Sequence, residues 1–112
     1  MSNNIFQDII DKKIPAEIIY EDDLALAFND ISPQAPIHIL VIPKKPITKL
    51  SASDDDDQKL LGHLLLVVKK ITSDKNISDY RVAINNGAEA GQTVFHLHLH
   101  ILAGRTFGWP TG

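Results

Sequence analysis

Apolar positions lay out the elements of the chain before any chemistry is considered. From Asn3 to Lys13, Ile5, Phe6, Ile9 and Ile10 recur at helical spacing. The segment stops at Ile14-Pro15, where the proline ring disfavours helix in the residue before it. Ile18 to Tyr20 and Leu24 to Phe28 read as two short strands around a turn at Glu21-Asp22-Asp23. A stiff connection from Asp30 to Pro36, with two prolines, leads into Ile37-His38-Ile39-Leu40-Val41-Ile42. That run is apolar on both faces except for one histidine, as expected of a central strand covered on both sides. Ser53 followed by Asp54 to Asp57 predicts a helix start, with the serine as cap and the carboxylates at the positive end of the dipole. Leu60, Leu64, Val67 and Ile71 then form one stripe, and Lys69 and Lys70 complement the carboxyl end. Arg81 to Asn85 predicts a strand, a glycine-containing loop runs to Thr93, and Val94 to Ala103 predicts the last long strand. Two helices and about five strands, mostly without helices between them, indicate an α+β fold with a largely antiparallel sheet.

The 112 residues suffice for one domain, 1–112, and no repeat or low-complexity linker divides them. Hydrophobic residues at 44% and charged residues at 22% exclude a disordered or collagen-like chain. A net charge of -3 lacks the basic excess of a nucleic-acid-binding surface. The absence of cysteine removes disulfides, thiolate nucleophiles and thiolate metal sites together. No apolar run approaches the ~20 residues that span a bilayer, and Met1-Ser2-Asn3-Asn4 shows no secretory pattern. The expectation is a soluble, cytoplasmic protein, nuclear as well in a eukaryotic source.

Three of the five histidines fall in His96-Leu97-His98-Leu99-His100-Ile101-Leu102. On a strand, alternate side chains share a face at ~6.6 Å spacing, so the three imidazoles line one surface while Leu97, Leu99 and Ile101 bury the other. One histidine is commonly a satisfied core residue; three at period two have no packing rationale. Such a row suits a zinc site, a nucleophile toward phosphorus whose tautomer a partner fixes, or a phosphate clamp. The upstream loop, Asn85 to Thr93, has two glycines and a terminal hydroxyl, which favours an anion over a cation. It lacks the lysine and glycine spacing of a P-loop. His38, otherwise alone on an apolar strand, needs a partner, and the histidine row is the candidate. His63 lies between core positions of the second helix and reads as a boundary residue with no role.

His96 to Leu102 resembles the histidine-triad (HIT) superfamily signature, His-φ-His-φ-His-φ-φ with φ apolar, at every position. Phe28 to Lys45 resembles the ribose-side segment of the Hint branch, and Gly104-Arg105 with Gly108-Trp109-Pro110-Thr111-Gly112 resembles that branch's tail. His100 stands where uridylyltransferase relatives usually carry glutamine. Thr93 replaces the serine of many members, and Pro46 stands where relatives often have histidine. The resemblance implies a homodimeric purine nucleotide-binding protein that hydrolyses nucleoside 5′-phosphoramidates, and also acyl-adenylates, without a metal or other cofactor. The ligand it implies is a purine nucleoside monophosphate such as AMP or GMP. Carried onto this chain, it makes His98 the nucleophile and gives His100 the phosphate and leaving amine. It makes His96 and His38 the proton-relay and orienting shell. Asn85, Gly91, Thr93 and Val94 surround the phosphate, with Gly91 and Thr93 as donors. Asp30 accepts the ribose hydroxyls, and Ile5, Phe6, Ile9, Phe28 and Ile31 sandwich the base. Trp109 shapes leaving-group preference, reaching across the dimer. A non-catalytic nucleotide sensor or scaffold, and a zinc protein ligated by His96, His98 and His100, are the alternatives.

Overall fold

The computed structural model describes residues 4–112, so Asn3 and the residues before it lie outside the described residues. α1 spans Ile5–Ile10 and β1 spans Ile18–Glu21; β2 runs Ala25–Asn29 and β3 Ile37–Pro43. α2 follows at Gln58–Asp74, then β4 at Tyr80–Ala83 and β5 at Leu99–Ala103. The strands form one five-stranded sheet in the order β1-β2-β3-β5-β4, and every pairing is antiparallel. This is the α+β architecture that the sequence predicts. No helix among the described residues is long and apolar enough to cross a membrane.

β3 is covered on both faces, as its unbroken apolar run requires. Ile39 and Val41 join Leu64, Val67, Val68 and Ile71 of α2 in one core cluster. Leu40 and Ile42 point the other way, into a cluster with Phe6 and Ile9 of α1 and Leu26 and Phe28 of β2. Each helix therefore seals one face of the sheet.

Five boundaries differ from the sequence reading. α1 ends at Ile10, and Lys12 turns the chain with a φ of 61°. At the second helix Asp54, not Ser53, caps the entry: its side chain accepts from the Asp56 amide, and the Asp57 carboxylate accepts from the Asp54 amide. Ser53 instead donates its hydroxyl to the Leu50 carbonyl. α2 runs on to Asp74, so Lys69 and Lys70 sit a turn short of its end. The last strand starts at Leu99 rather than Val94. Its register pairs Leu99 with Val41, which would set Leu97 opposite Pro43, a residue with no amide for the ladder. The Leu97 amide turns to the Ile47 carbonyl instead, at 2.7 Å. β4 stops at Ala83, opposite His100, one residue short of the start of its partner strand at Leu99.

Candidate active site

Although the ladder ends at Leu99, the two-sided alternation of the histidine segment persists through the irregular residues before it. Leu97, Leu99 and Ile101 are buried in the α2-side cluster. His96 and His98 lie on the α1 side, edge-to-face against Phe6 with ring centroids 6.3 and 5.0 Å away. The His98 and His100 rings stand 4.9 Å apart, and those of His100 and His38 stand 5.1 Å apart. The rings of His98, His100 and His38 thus form one contiguous row, and His96 joins it across Phe6.

Backbone groups decide where each ring carries its proton. The His96 carbonyl lies 2.6 Å from His98 Nδ1; a carbonyl only accepts, so Nδ1–H donates and Nε2 is left with its lone pair. The Pro43 carbonyl takes His96 Nε2–H in the same way, at 2.7 Å, and the Asn4 side-chain amide reaches His96 Nδ1 at 3.5 Å. On the other side, the Gln34 amide donates to His38 Nδ1 at 3.0 Å. His38 therefore holds its proton at Nε2, which lies 2.9 Å from His100 Nδ1 and 3.4 Å from Asp30 Oδ2. His100 Nδ1 accepts, so the His100 proton sits on Nε2. That atom is buried and has no protein partner among the described residues.

These assignments require neutral rings, and burial supplies them. Burial pushes His100 down to about 4, helped by His98 and His38 and opposed by Asp30. His98 is lowered by burial against the opposing pull of the His96 carbonyl and Asp30. His38 and His96 are lowered from the same cause. The site therefore presents, side by side, an imidazole lone pair on His98 and an unpaired N–H on His100.

A family model described as the HIT domain matches residues 11–107. The chain belongs to the HIT domain family. An uncharacterised HIT-like protein of Synechocystis is 61% identical over 111 residues, covering 98% of this chain and 97% of its own. The crystal structure of a HIT family hydrolase from Legionella pneumophila superposes with a TM-score of 0.95 at 44% identity, over 98% of this chain and all of the other. A histidine triad nucleotide-binding protein from Candida albicans gives a TM-score of 0.80 at 36% identity, over 98% and 85%.

In this HIT protein the remaining expected residues are spread over several different surroundings. Phe6, Ile9 and Phe28 are buried together, with Val94 packed against them, and Phe6 meets Phe28 edge-on at 5.4 Å. Ile5 and Ile31 are outside that cluster, Ile31 with 91% of its surface exposed. Asp30 lies beside His38, its other oxygen accepting the Ser32 amide at 2.8 Å. The Gly91 amide, expected as a phosphate donor, is committed to the Ala88 carbonyl at 3.0 Å. Gly91 acts through its conformation instead, turning the chain at a φ of +98° with the Asn85 side chain against it. Thr93 is exposed, and Trp109 is 83% exposed beneath the Arg81 guanidinium.

Sequence reasoning missed the braces. Gln92, 2% exposed, accepts the Gly87 amide and donates to the Thr48 and Val94 carbonyls, holding the loop that delivers the histidine row. A lone glutamine beside glycines carries no signal of burial. His63, read as having no role, lies 2.7 Å from Asp22, which also takes the Tyr20 hydroxyl and the Leu24 and Ala25 amides. It ties α2 to the β1–β2 turn.

Proposed function

We propose that this protein is a hydrolase that binds purine nucleoside monophosphate groups and cleaves the P–N bond of nucleoside 5′-phosphoramidates. The observation that carries the reading is the pairing of a free lone pair on His98 Nε2 with a free donor on His100 Nε2. His98 attacks the α-phosphorus, forming an N–P bond while the P–N bond to the amine breaks. His100 relays a solvent proton through Nε2 to the departing nitrogen, so the amine leaves neutral and the ring stays neutral. The water that cleaves the nucleotidyl-histidine returns a proton to solvent by the same path, so the second step restores what the first consumed. Acyl-adenylates fit the same sequence with a carboxylate leaving group.

His38 sustains this role by keeping its proton toward His100 Nδ1, and His96 acts through its carbonyl and its packing against Phe6. Asp30 offers a partly exposed carboxylate to ribose hydroxyls, Phe6, Ile9 and Phe28 offer an apolar wall to the base, and Asn85, Gly91, Thr93 and Val94 line the approach of the phosphate. The Candida albicans relative, described as nucleotide-binding, supports the ligand class. The edge strand β4 turns Tyr80 and Val82 outward, with Ile84 exposed just beyond its end, which supports a homodimer in which Trp109 meets the leaving group. The reading includes a cytoplasmic location.

A cation reading has one observation in its favour. Ligand atoms of Asp30, His38 and His100 lie within 4.8 Å of one another. The expected zinc set of His96, His98 and His100 differs from this one, which is the group whose ligand atoms converge among the described residues. Turnover of an adenosine phosphoramidate with and without excess chelator separates the readings. Unchanged turnover, with a nucleotide adduct on His98 in mass spectrometry, supports the cofactor-free hydrolase. Chelator-sensitive turnover or the lack of any turnover overturns it, the latter in favour of a nucleotide sensor or scaffold.

A further inference from the structure

The connection between β2 and β3 carries the amide that sets the His38 proton, and the far end of the chain holds that connection. We propose that Arg105 is a positioning residue, fixing Gln34 and thereby the ring state of His38 and the donor on His100; this rests on the hydrolase reading above.

Arg105 Nε and Nη2 both donate to the Gln34 carbonyl, at 3.4 and 3.3 Å. The guanidinium is set for this by Phe107, whose ring centre lies 4.2 Å from it, and by Nη1 donating to the Thr106 carbonyl. The tail is anchored in turn at Arg81, which donates to the Gly108 carbonyl at 2.9 Å. Gly104, at a φ of +94°, brings the backbone so close to Pro36 that a Cβ would lie 2.8 Å from the ring. Within residues 30–36 the other hydrogen bonds run locally: Ser32 to Asp30, the Gln34 side chain to Ser32, and the Gln34 amide to His38. Among the described residues, Arg105 is the one side chain other than His38 itself that fastens this connection from outside by hydrogen bonds.

Gln34 is thus held by its carbonyl from one side and uses its amide on the other. If the carbonyl is released, the backbone turns, and the amide no longer blocks a proton at His38 Nδ1. Both His38 tautomers then become populated, and in one of them His38 gives no proton to His100 Nδ1. His100 loses the constraint that keeps its proton on Nε2. The effect falls on the chemical step and not on nucleotide affinity.

The experiment compares wild type with Arg105→Met and Arg105→Lys in nitrogen-15 spectra of the histidine rings, in AMP binding, and in phosphoramidate turnover. Arg105→Met should move the His38 Nδ1 signal toward its protonated position and lower kcat by about tenfold, with KM and AMP affinity within about twofold. Arg105→Lys, which restores a donor, should recover most of both signals. A His38 spectrum and kcat unchanged in Arg105→Met overturn the proposal. If that variant fails to fold, Phe107→Leu decides, since loosening the guanidinium should shift His38 in the same direction, and an unshifted spectrum overturns it. Absence of turnover in wild type refutes the hydrolase reading, while the His38 spectrum still judges Arg105.

Discussion

His98 is hydrogen-bonded to its own chain two residues back: Nδ1 lies 2.6 Å from the His96 carbonyl oxygen. The bond is possible because the segment leaves the ladder at Leu99, which frees the His96 carbonyl from strand pairing. The irregular backbone before β5 is therefore what leaves His98 with its lone pair on Nε2, the tautomer that the proposed attack needs. We expect His98→Ala to lower phosphoramidate turnover by on the order of 10⁴-fold or more while AMP still binds. Wild-type turnover in that variant, measured with enzyme free of contaminating hydrolase, would exclude His98 as nucleophile.

Stability should fall in mild acid. Burial holds the His100 ring at about 4, well below its ordinary value of 6.5. Between those values the unfolded chain binds a proton that the folded chain refuses, so stability rises with pH across this window and drops as pH falls from 6.5 toward 4. His38, His96 and His98 are lowered as well and act in the same direction. Denaturant midpoints measured from neutral pH downward should decline, and less steeply in His100→Gln. Because the proposed attack needs a neutral His98, the acid limb of kcat/KM should lie below the ordinary histidine value of 6.5. An acid limb above that value would contradict the buried, neutral row.

Gly104→Ala should destabilise the fold by about 1–3 kcal/mol. The backbone there sits at a φ of +94°, and the new methyl would meet Pro36 at 2.8 Å. Urea titration gives the value, and a midpoint equal to wild type would show that the tail does not bear on the β2–β3 connection.

Gln92→Leu keeps the volume of a side chain that is 2% exposed but strands the Gly87 amide and the Thr48 carbonyl. A loss of about 1–3 kcal/mol is expected, together with weaker AMP binding, since this loop leads directly into the histidine row. Calorimetric binding that matches wild type would separate the loop from the ligand.

The parts of this molecule governed by periodicity were legible in its residues. The α2 stripe, the two-sided burial of β3 and the shared face of His96 and His98 all follow from which positions are apolar. Legibility ended where a backbone group does the work. Pro43 stops the ladder, its carbonyl and that of His96 fix two tautomers, and the Gln34 amide fixes a third. None of these depends on the side chain that a sequence displays, except that proline lacks an amide. Gly91 shows the same limit, since its residue type suggested a donor while its amide closes a turn.

The roof over the histidine row is only six residues of helix, α1. A helix that short has no stability of its own in water; it persists because Phe6 and Ile9 are packed onto the sheet. Whatever settles against Phe6 beside His98 must therefore strengthen α1 as well, and α1 must strengthen its grip in return. Slowed amide hydrogen exchange along α1 would then register occupancy before any chemistry takes place.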